Sequence, residues 1–288
     1  MTAKDRVSAL MTARNSEATI RQAITSTLRA LGSKDELLVL LDDPQDQTEG
    51  VVRSINDPRL QVEVNSKNIG INASRNRLLG LASGPLVSVI DADDISLRWR
   101  YAVSRKLIAE GADIVFGTAI VFGRQLRPLP LLPQYPISLD NRQARLALLV
   151  ANPFVHSSMT GRLDAIRSVG GYSSSLSEDY DLWLRLAGTG FKLRRTGLPL
   201  VAYRFHSTQE SQGDNFMERV WSSEKLVDSY LSFAKQVFPG QISNQTDEAR
   251  IQSAKLAKDE LYAMKPSMRH EHAGLPQVMK RWKNSKAK

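Results

Sequence analysis

The chain has 288 residues, room for one large domain or two small ones, and its 42% hydrophobic and 24% charged residues are ordinary globular proportions that exclude disorder throughout. With no cysteine, a disulfide framework and thiolate-ligated metal sites are excluded. The formal charge of +9 is uneven: from Ile251 onward nine Lys/Arg stand against three Asp/Glu, a basic end suited to anionic lipid, to nucleic acid or simply to solvent.

After Arg6 the first apolar run is too short for a signal segment or a membrane span, and no later stretch reaches the roughly 18 apolar residues a spanning helix needs. A soluble, cytoplasmic protein is expected. Val7-Ser8-Ala9-Leu10-Met11 suits a buried strand, and Ile20, Ala23, Ile24, Thr27, Leu28 and Leu31 recur at helical spacing before Gly32. Leu37 to Leu41 forms a second strand ending in Asp42-Asp43. Thr48 can cap a helix through Ile55, and Leu60 to Val64 alternates as a third strand. A helix from Asn72 to Ala82, a strand Leu86–Ile90 ending at Asp91, a helix from Arg98 to Glu110 and a strand Ile114–Phe116 follow.

Arg124 to Asp140 carries four prolines and reads as an irregular connection. Beyond it the pattern gives a helix near Gln143–Val150, a strand near Val155–Thr160, then Leu163–Val169 leading into Gly170-Gly171-Tyr172. Glu178-Asp179 opens another helix, Leu200 to Phe205 is a strand ending at His206, and Phe216 to Val237 is helical. The remainder is polar. Strands alternating with helices predict an α/β fold with a mainly parallel sheet flanked by helices. A domain over 1–215 with a helical, basic extension over 216–288 fits the composition. Ligands of such sheets bind at the carboxyl ends of the strands, so Thr12, Asp43 and Asp91 would share one edge.

Asp91-Ala92-Asp93-Asp94 is the sharpest local feature. Three carboxylates in four residues repel one another unless a cation sits among them, and hard oxygen ligands suit Mg²⁺ or Mn²⁺. An acidic loop capping the next helix is the bland alternative. Asp42-Asp43 could accept hydrogen bonds from a nucleobase or ribose, or merely turn the chain. Glu178-Asp179 suits a helix dipole, yet a carboxylate at a cleft edge can also act as a general base. His206 could ligate a metal through a neutral imidazole nitrogen. Neither G-x-G-x-x-G after the first strand nor G-x-x-x-x-G-K-[ST] anywhere is present, which argues against a dinucleotide oxidoreductase or P-loop enzyme.

In order, Val7 to Asn15, Leu38 to Asp43, Asn68-Ile69-Gly70-Ile71-Asn72-Ala73-Ser74-Arg75-Asn76, the D-x-D-type motif at Asp91, Gly170-Gly171-Tyr172 with Glu178-Asp179-Tyr180-Asp181-Leu182-Trp183-Leu184-Arg185, and Tyr203-Arg204-Phe205-His206 to Ser211 resemble glycosyltransferase family 2, inverting enzymes of the GT-A (Rossmann-like) fold. Arg14 stands where the family commonly has an aromatic, and Pro44-Gln45 where it has Gly-Ser. The resemblance implies that Thr12, Asp43, Arg75, Asp91 and Asp93 bind the nucleotide sugar, and that Asp93, Asp94 and His206 surround a divalent metal, Mn²⁺ or Mg²⁺. It makes Asp179 the catalytic base. It further implies transfer of a hexose-type sugar from a nucleoside diphosphate, UDP first among the bases, to a glycan or lipid-linked acceptor in polysaccharide or cell-envelope synthesis. The basic C-terminus would then touch the inner face of a membrane.

Two other enzyme and binding classes compete with this reading. A nucleotidyltransferase needs a basic, glycine-rich loop after the first strand, which Thr12-Ala13-Arg14-Asn15 does not supply. A non-catalytic protein binding nucleotide sugar or nucleic acid ranks lower still, because the basic residues lie mostly outside the motifs with no interleaved aromatic beyond Trp282.

Overall fold

The computed structural model describes residues 5–123, 138–205 and 216–264. β1 (Val7–Ala13) and β2 (Glu36–Asp42) are buried almost throughout, which is why both read as continuous apolar runs. Their alternation sorts side chains into two cores. Leu10, Leu38 and Leu40 enter one, and Ala9, Met11, Leu37, Val39 and Leu41 enter the other. α1 (Ile20–Ala30) adds Ile20, Ala23, Ile24 and Leu28 to the second core, while α3 (Ile71–Leu81) adds Leu78 and Leu79 to the first.

With α2 (Thr48–Arg53), β3 (Leu60–Asn65) and β4 (Leu86–Val89), these elements build a parallel β3-β2-β1-β4 unit. Strand order reverses between β1 and β4, the kind of switch point at whose carboxyl ends ligands of such sheets bind.

The rest of the sheet is mixed. It comprises β5 (Ile95–Ser96), β6 (Ile114–Phe122), β7 (Thr160–Arg162) and β8 (Leu193–Arg204), in the full order β3-β2-β1-β4-β7-β6-β8-β5. β7 runs antiparallel to β4 and β6, β5 runs antiparallel to β8, and β6 and β8 are parallel. The helices are α4 (Arg100–Ala109), α5 (Asn141–Val150), α6 (Leu163–Ser168), α7 (Glu178–Gly188), α8 (Phe216–Trp221), α9 (Glu224–Val237) and α10 (Thr246–Ala263). This is the α/β architecture expected from the sequence: a mostly parallel, GT-A-like sheet flanked by helices, with further helices at the C-terminal side. Among the described residues no helix is long and apolar enough to cross a membrane.

Three local expectations change. Thr48 is the first helical residue of α2 and not its cap; its hydroxyl accepts the Ser16 N–H at 2.7 Å. The strand expected over Val155–Thr160 is a 3-10 turn, His156–Ser158, followed by β7. The Ser158 hydroxyl donates to the Val155 carbonyl at 2.7 Å and so favours the turn over a ladder. β8 starts at Leu193, seven residues before the apolar run, because register shifts on either side of the Thr118–Pro199 pair let the strand run on through Thr196-Gly197-Leu198.

The polar remainder after Val237 contains α10. Its inward stripe is Ala249, Ser253, Ala257 and Leu261, mostly small residues that carry little hydropathy signal. α9 packs on α7 and α10 on α5, and Leu226, Tyr230, Phe233, Ala257 and Leu261 belong to the same core as Leu148 and Trp183. The 215/216 boundary falls in a stretch outside the described residues.

Candidate active site

The carboxyl ends of β1, β2 and β4 form one edge, since Ala13 is in register with Leu41 and Leu10 with Val89. Thr12 lies there half-buried. The two acids closing β2 differ in kind. Asp42 is 5% exposed and accepts hydrogen bonds from Asn65 Nδ2 at 2.7 Å, Ile69 N at 3.0 Å and Gly70 N at 2.9 Å, so it pins the chain entering α3. Asp43, half-buried, takes φ 53°. Among the described residues, the other non-glycine residue at positive φ is Asn15, at 51°, in the loop after β1. Its carboxamide oxygen accepts the Gln45 N–H at 2.8 Å, tying the two loops together. Backbone strain confined to two facing loops at a sheet edge is typical of a binding site.

α3 presents Asn72, Arg75 and Asn76 to the chain that leads into α7. Asn76 brackets Tyr172, donating to its carbonyl and accepting its N–H, both at 2.8 Å. Asn72 Nδ2 donates to the carbonyls of Ser173 at 2.9 Å and Ser175 at 3.2 Å. Gly171, at φ 68°, is required here: a Cβ would stand 2.5 Å from Asn76 Oδ1.

Arg75, 5% exposed, reaches Asp91 at 3.4 Å and forms a short ion pair with Glu178, joining the end of β4 to the start of α7. Its guanidinium also lies 5.5 Å from the centroid of the Tyr172 ring. The Arg75 Nε is buried without a hydrogen-bond partner.

The acids around Arg75 are not fully neutralised. Burial raises Asp94 to about 8, helped by the charge of Asp91 and, to a smaller degree, Asp93; hydrogen bonds from Ser157 and the Arg204 N–H oppose it. Burial likewise raises Glu178 to about 7 against the pull of Arg75, with Asp179 adding to the rise. Asp91 is pushed upward by burial and by Asp93 and Asp179, and Arg75 again opposes. Ser157 Oγ donates to Asp94 at 2.5 Å and Arg204 N at 2.7 Å, one to each oxygen, while Asp93 is half-buried at the loop.

Asp179, in the first turn of α7, is raised by burial. Asn152 Nδ2 donates to its Oδ2 at 2.8 Å, and Tyr180 N and Ser177 Oγ donate to its Oδ1 at 2.7 and 3.3 Å.

The structure therefore gathers Arg75, Asp91, Asp93, Asp94 and Asp179 into one electrostatically linked group, with Thr12 and Asp43 along the adjoining strand ends. His206 lies outside the described residues. Among those residues there is no group of three or more His, Cys, Asp or Glu arranged to hold a metal.

Several site neighbours carry no motif signal of their own. Asn152 and Ser157 are ordinary polar residues in the sequence. His156 is buried, with Nε2 2.9 Å from the Tyr172 hydroxyl, and burial with Arg75 and Arg100 nearby holds it well below its usual range. Arg100 is fully buried behind the acidic loop, where it donates to Ser88 Oγ at 2.8 Å, Ser96 Oγ at 3.3 Å and the Met159 carbonyl at 3.2 Å.

Comparison with known proteins gives concordant results. The model of the family described as "Glycosyl transferase family 2" matches residues 8–169. An uncharacterized glycosyltransferase of Methanocaldococcus jannaschii is 25% identical over 233 residues, 79% of this chain and 78% of its own. The Escherichia coli protein WfaP, a UDP-Glc:alpha-D-GlcNAc-diphosphoundecaprenol beta-1,3-glucosyltransferase, is 24% identical over 225 residues, 76% of this chain and 85% of its own. Among solved structures, TarS residues 1–349 from S. aureus superposes with a TM-score of 0.63 at 15% identity, covering 91% of this chain and 74% of that one, a likeness of fold.

Proposed function

The chain belongs to glycosyl transferase family 2, and from that premise we propose that it is an inverting glycosyltransferase carrying a hexose-type sugar from a nucleoside diphosphate to a hydroxyl of a glycan or lipid-linked acceptor. The observation that carries this reading is Arg75, which ties Asp91 at the end of β4 to Glu178 at the start of α7 and so links the acidic loop to the helix turn that bears Asp179.

Thr12 and Asp43 would hold the base and ribose from the two strained loops. The partnerless Arg75 Nε suits a diphosphate oxygen, and Asp91 and Asp93 would complete the donor site. Uracil is the first base to test, because the similar WfaP takes UDP-glucose and passes the sugar to an alpha-D-GlcNAc-diphosphoundecaprenol acceptor.

The carboxylates fit a divalent cation, Mn²⁺ or Mg²⁺: Asp94 is raised partly by the charge of Asp91 and Asp93, and Asp91 partly by that of Asp93 and Asp179, a surplus that a cation relieves. Asp93 would be its first ligand, with Asp94, whose oxygens each retain a lone pair beyond the Ser157 and Arg204 bonds, and His206 in support. When bound, the cation supplies neutralisation of charge on the departing diphosphate.

Asp179 does the protein's own chemistry. It takes the proton from the acceptor hydroxyl as that oxygen attacks the anomeric carbon from the face opposite the diphosphate, and single displacement inverts that centre. Such help is worth about 10²–10⁴-fold. Asp179→Asn is expected to lose turnover by at least that factor while UDP-sugar still raises the melting temperature. Transfer near the wild-type rate would remove Asp179 from the mechanism. Thermal-shift screening against UDP-, GDP-, dTDP- and CDP-sugars with Mn²⁺ identifies the base, and release of nucleoside diphosphate rather than pyrophosphate separates sugar transfer from nucleotidyl transfer.

The basic residues after Ile251 would bring the enzyme to an anionic, cytoplasmic membrane face, where lipid-linked acceptors lie. Pelleting with anionic liposomes should weaken when residues 276–288 are removed; equal pelleting would discard this contact.

A further inference from the structure

We infer that Asn152 is a positioning residue for Asp179, holding the carboxylate in the orientation from which it meets the acceptor hydroxyl. The inference rests on the reading of Asp179 as the base, and it adds a residue that no motif contains.

Asn152 sits just past the end of α5, in the connection to the 3-10 turn His156–Ser158. Its carboxamide is oriented by two contacts of opposite polarity. Oδ1 accepts the Phe154 N–H at 3.2 Å, which leaves Nδ2 as the atom facing Asp179, and that nitrogen donates to Asp179 Oδ2 at 2.8 Å. Phe154, 7% exposed, is itself fixed by stacking on Phe116 at a 3.9 Å centroid distance and by an edge contact with Trp183 of α7. The donor is therefore mounted on the aromatic core that also holds the helix bearing the base.

The opposite carboxylate oxygen is held by α7 itself and the residue before it, through Tyr180 N and Ser177 Oγ. Removing Asn152 leaves Oδ2 free to rotate about the Cβ–Cγ bond. Asp179 is the hinge of the proposed reaction, and misplacement of a reacting group by about 1 Å can cost 10²-fold.

The same short connection supports the donor half, where Ser157 donates to Asp94 and His156 meets the Tyr172 hydroxyl. Residues 152–158 thus form a strut whose two ends touch the base and the acidic loop.

The charged and titratable groups that act on Asp179 come from every element around it. Arg75 of α3 favours its ionised form. Asp91 after β4, Glu178 on α7, Tyr172 before α7 and Tyr203 of β8 share its field. The amide of Asn152 is the largest influence working against burial, so its loss moves the acidic limb of kcat/KM to higher pH.

The test uses full-length Asn152→Ala and Asn152→Asp beside Asp179→Asn, with wild-type melting temperature as the check on folding. Asn152→Asp keeps the shape and replaces the donor with a second acid, so it serves where the smaller side chain fails to fold. Both variants are expected to lower kcat about 10–100-fold, to leave the KM for UDP-sugar within about twofold, and to shift the acidic limb upward, more for Asp than for Ala. Asn152→Ser, which restores a hydroxyl donor, should recover part of kcat. An inactive Asp179→Asn combined with Asn152 variants of unchanged kcat and pH profile would overturn the inference alone. An active Asp179→Asn would overturn the base assignment on which it rests.

Discussion

At the amino ends of the strands, Glu36 accepts hydrogen bonds from the Ser8 and Ser83 hydroxyls at 2.5 and 2.6 Å, the Ser83 N–H at 3.1 Å and Gln61 Nε2 at 3.0 Å. Its neighbour Asp35 accepts Val7 N and Gly32 N and pairs with Arg105. Burial acting alone would raise Glu36, but the donors outweigh it and leave the carboxyl below its ordinary value. At the carboxyl ends, Asp94 and Glu178 are also hydrogen-bonded, yet burial and neighbouring acids carry them up to about 8 and about 7. One end of the sheet spends its polar groups on stability. The other keeps negative charge under-compensated, which costs stability and leaves an appetite for cations and for protons from an acceptor. That contrast marks the functional end more firmly than any single motif does.

The contrast can be attacked from its strongest side first. On the proposed metal role, Asp93→Ala or EDTA treatment of the wild type would remove charge neutralisation on the leaving diphosphate, a term of several kcal/mol, so transfer is expected to fall by roughly 10²–10³-fold. UDP-sugar binding by calorimetry should weaken in parallel. Full activity in metal-free buffer would break the comparison at its functional end. Glu36→Gln probes the other end: it loses the charge-assisted bonds from Ser8 and Ser83 and should cost about 1.5–3 kcal/mol near pH 7 without touching kcat. Because the folded Glu36 carboxyl lies below its unfolded value, that contribution exists above about pH 4.5 and disappears as the pH falls through the folded value, so urea curves of mutant and wild type should converge in acid.

Glu178 should show the opposite slope. Its folded value lies above the unfolded one, so the native state binds the extra proton and stability falls as pH rises from 4.5 to about 7. Glu178→Gln is expected to flatten the melting temperature across that window. An unchanged slope would mean the acids around Arg75 are not crowded as described.

Much of this was legible in the sequence because the elements that carry it are strongly patterned. β1, β2 and β4 are buried, mostly apolar runs, interrupted by Ser8 and Ser88, with an acid or hydroxyl at or just past the end, and the Asn72-Ala73-Ser74-Arg75-Asn76 stretch announces itself by composition. What the residues of that stretch do was not legible. Asn72 and Asn76 fasten backbone roughly 100 residues away, and Arg75 reaches acids on two other elements. Asn152, Ser157 and Arg100 are invisible for a related reason: their meaning is the partner, and partners distant in the chain leave no local spacing. α10 escaped because Ala249, Ser253 and Ala257 bury a helix face without raising its hydropathy. The turn at His156–Ser158 escaped because hydroxyl-to-carbonyl bonds outbid a run of strand-forming residues.

The smallest expected effect lies inside α7, where both principles meet within three residues. Asp179, the proposed base, has a carboxyl raised by burial, whereas Asp181, 1% exposed, is satisfied on both oxygens: Ser229 of α9 donates to Oδ1 at 2.6 Å and Arg185 to Oδ2 at 2.8 and 3.0 Å. Asp181 is thus handled as Glu36 is, and Ser229 adds a hydrogen bond to the packing of α9 on α7. Ser229→Ala leaves Arg185 in place and should cost about 1 kcal/mol, or roughly 2–4 °C in Tm. The pH profile of kcat should not move, because Asp179 keeps its own donors. A shifted profile would mean that the two carboxylates are coupled along the helix, and the division between structural and working acids would have to be redrawn at that point.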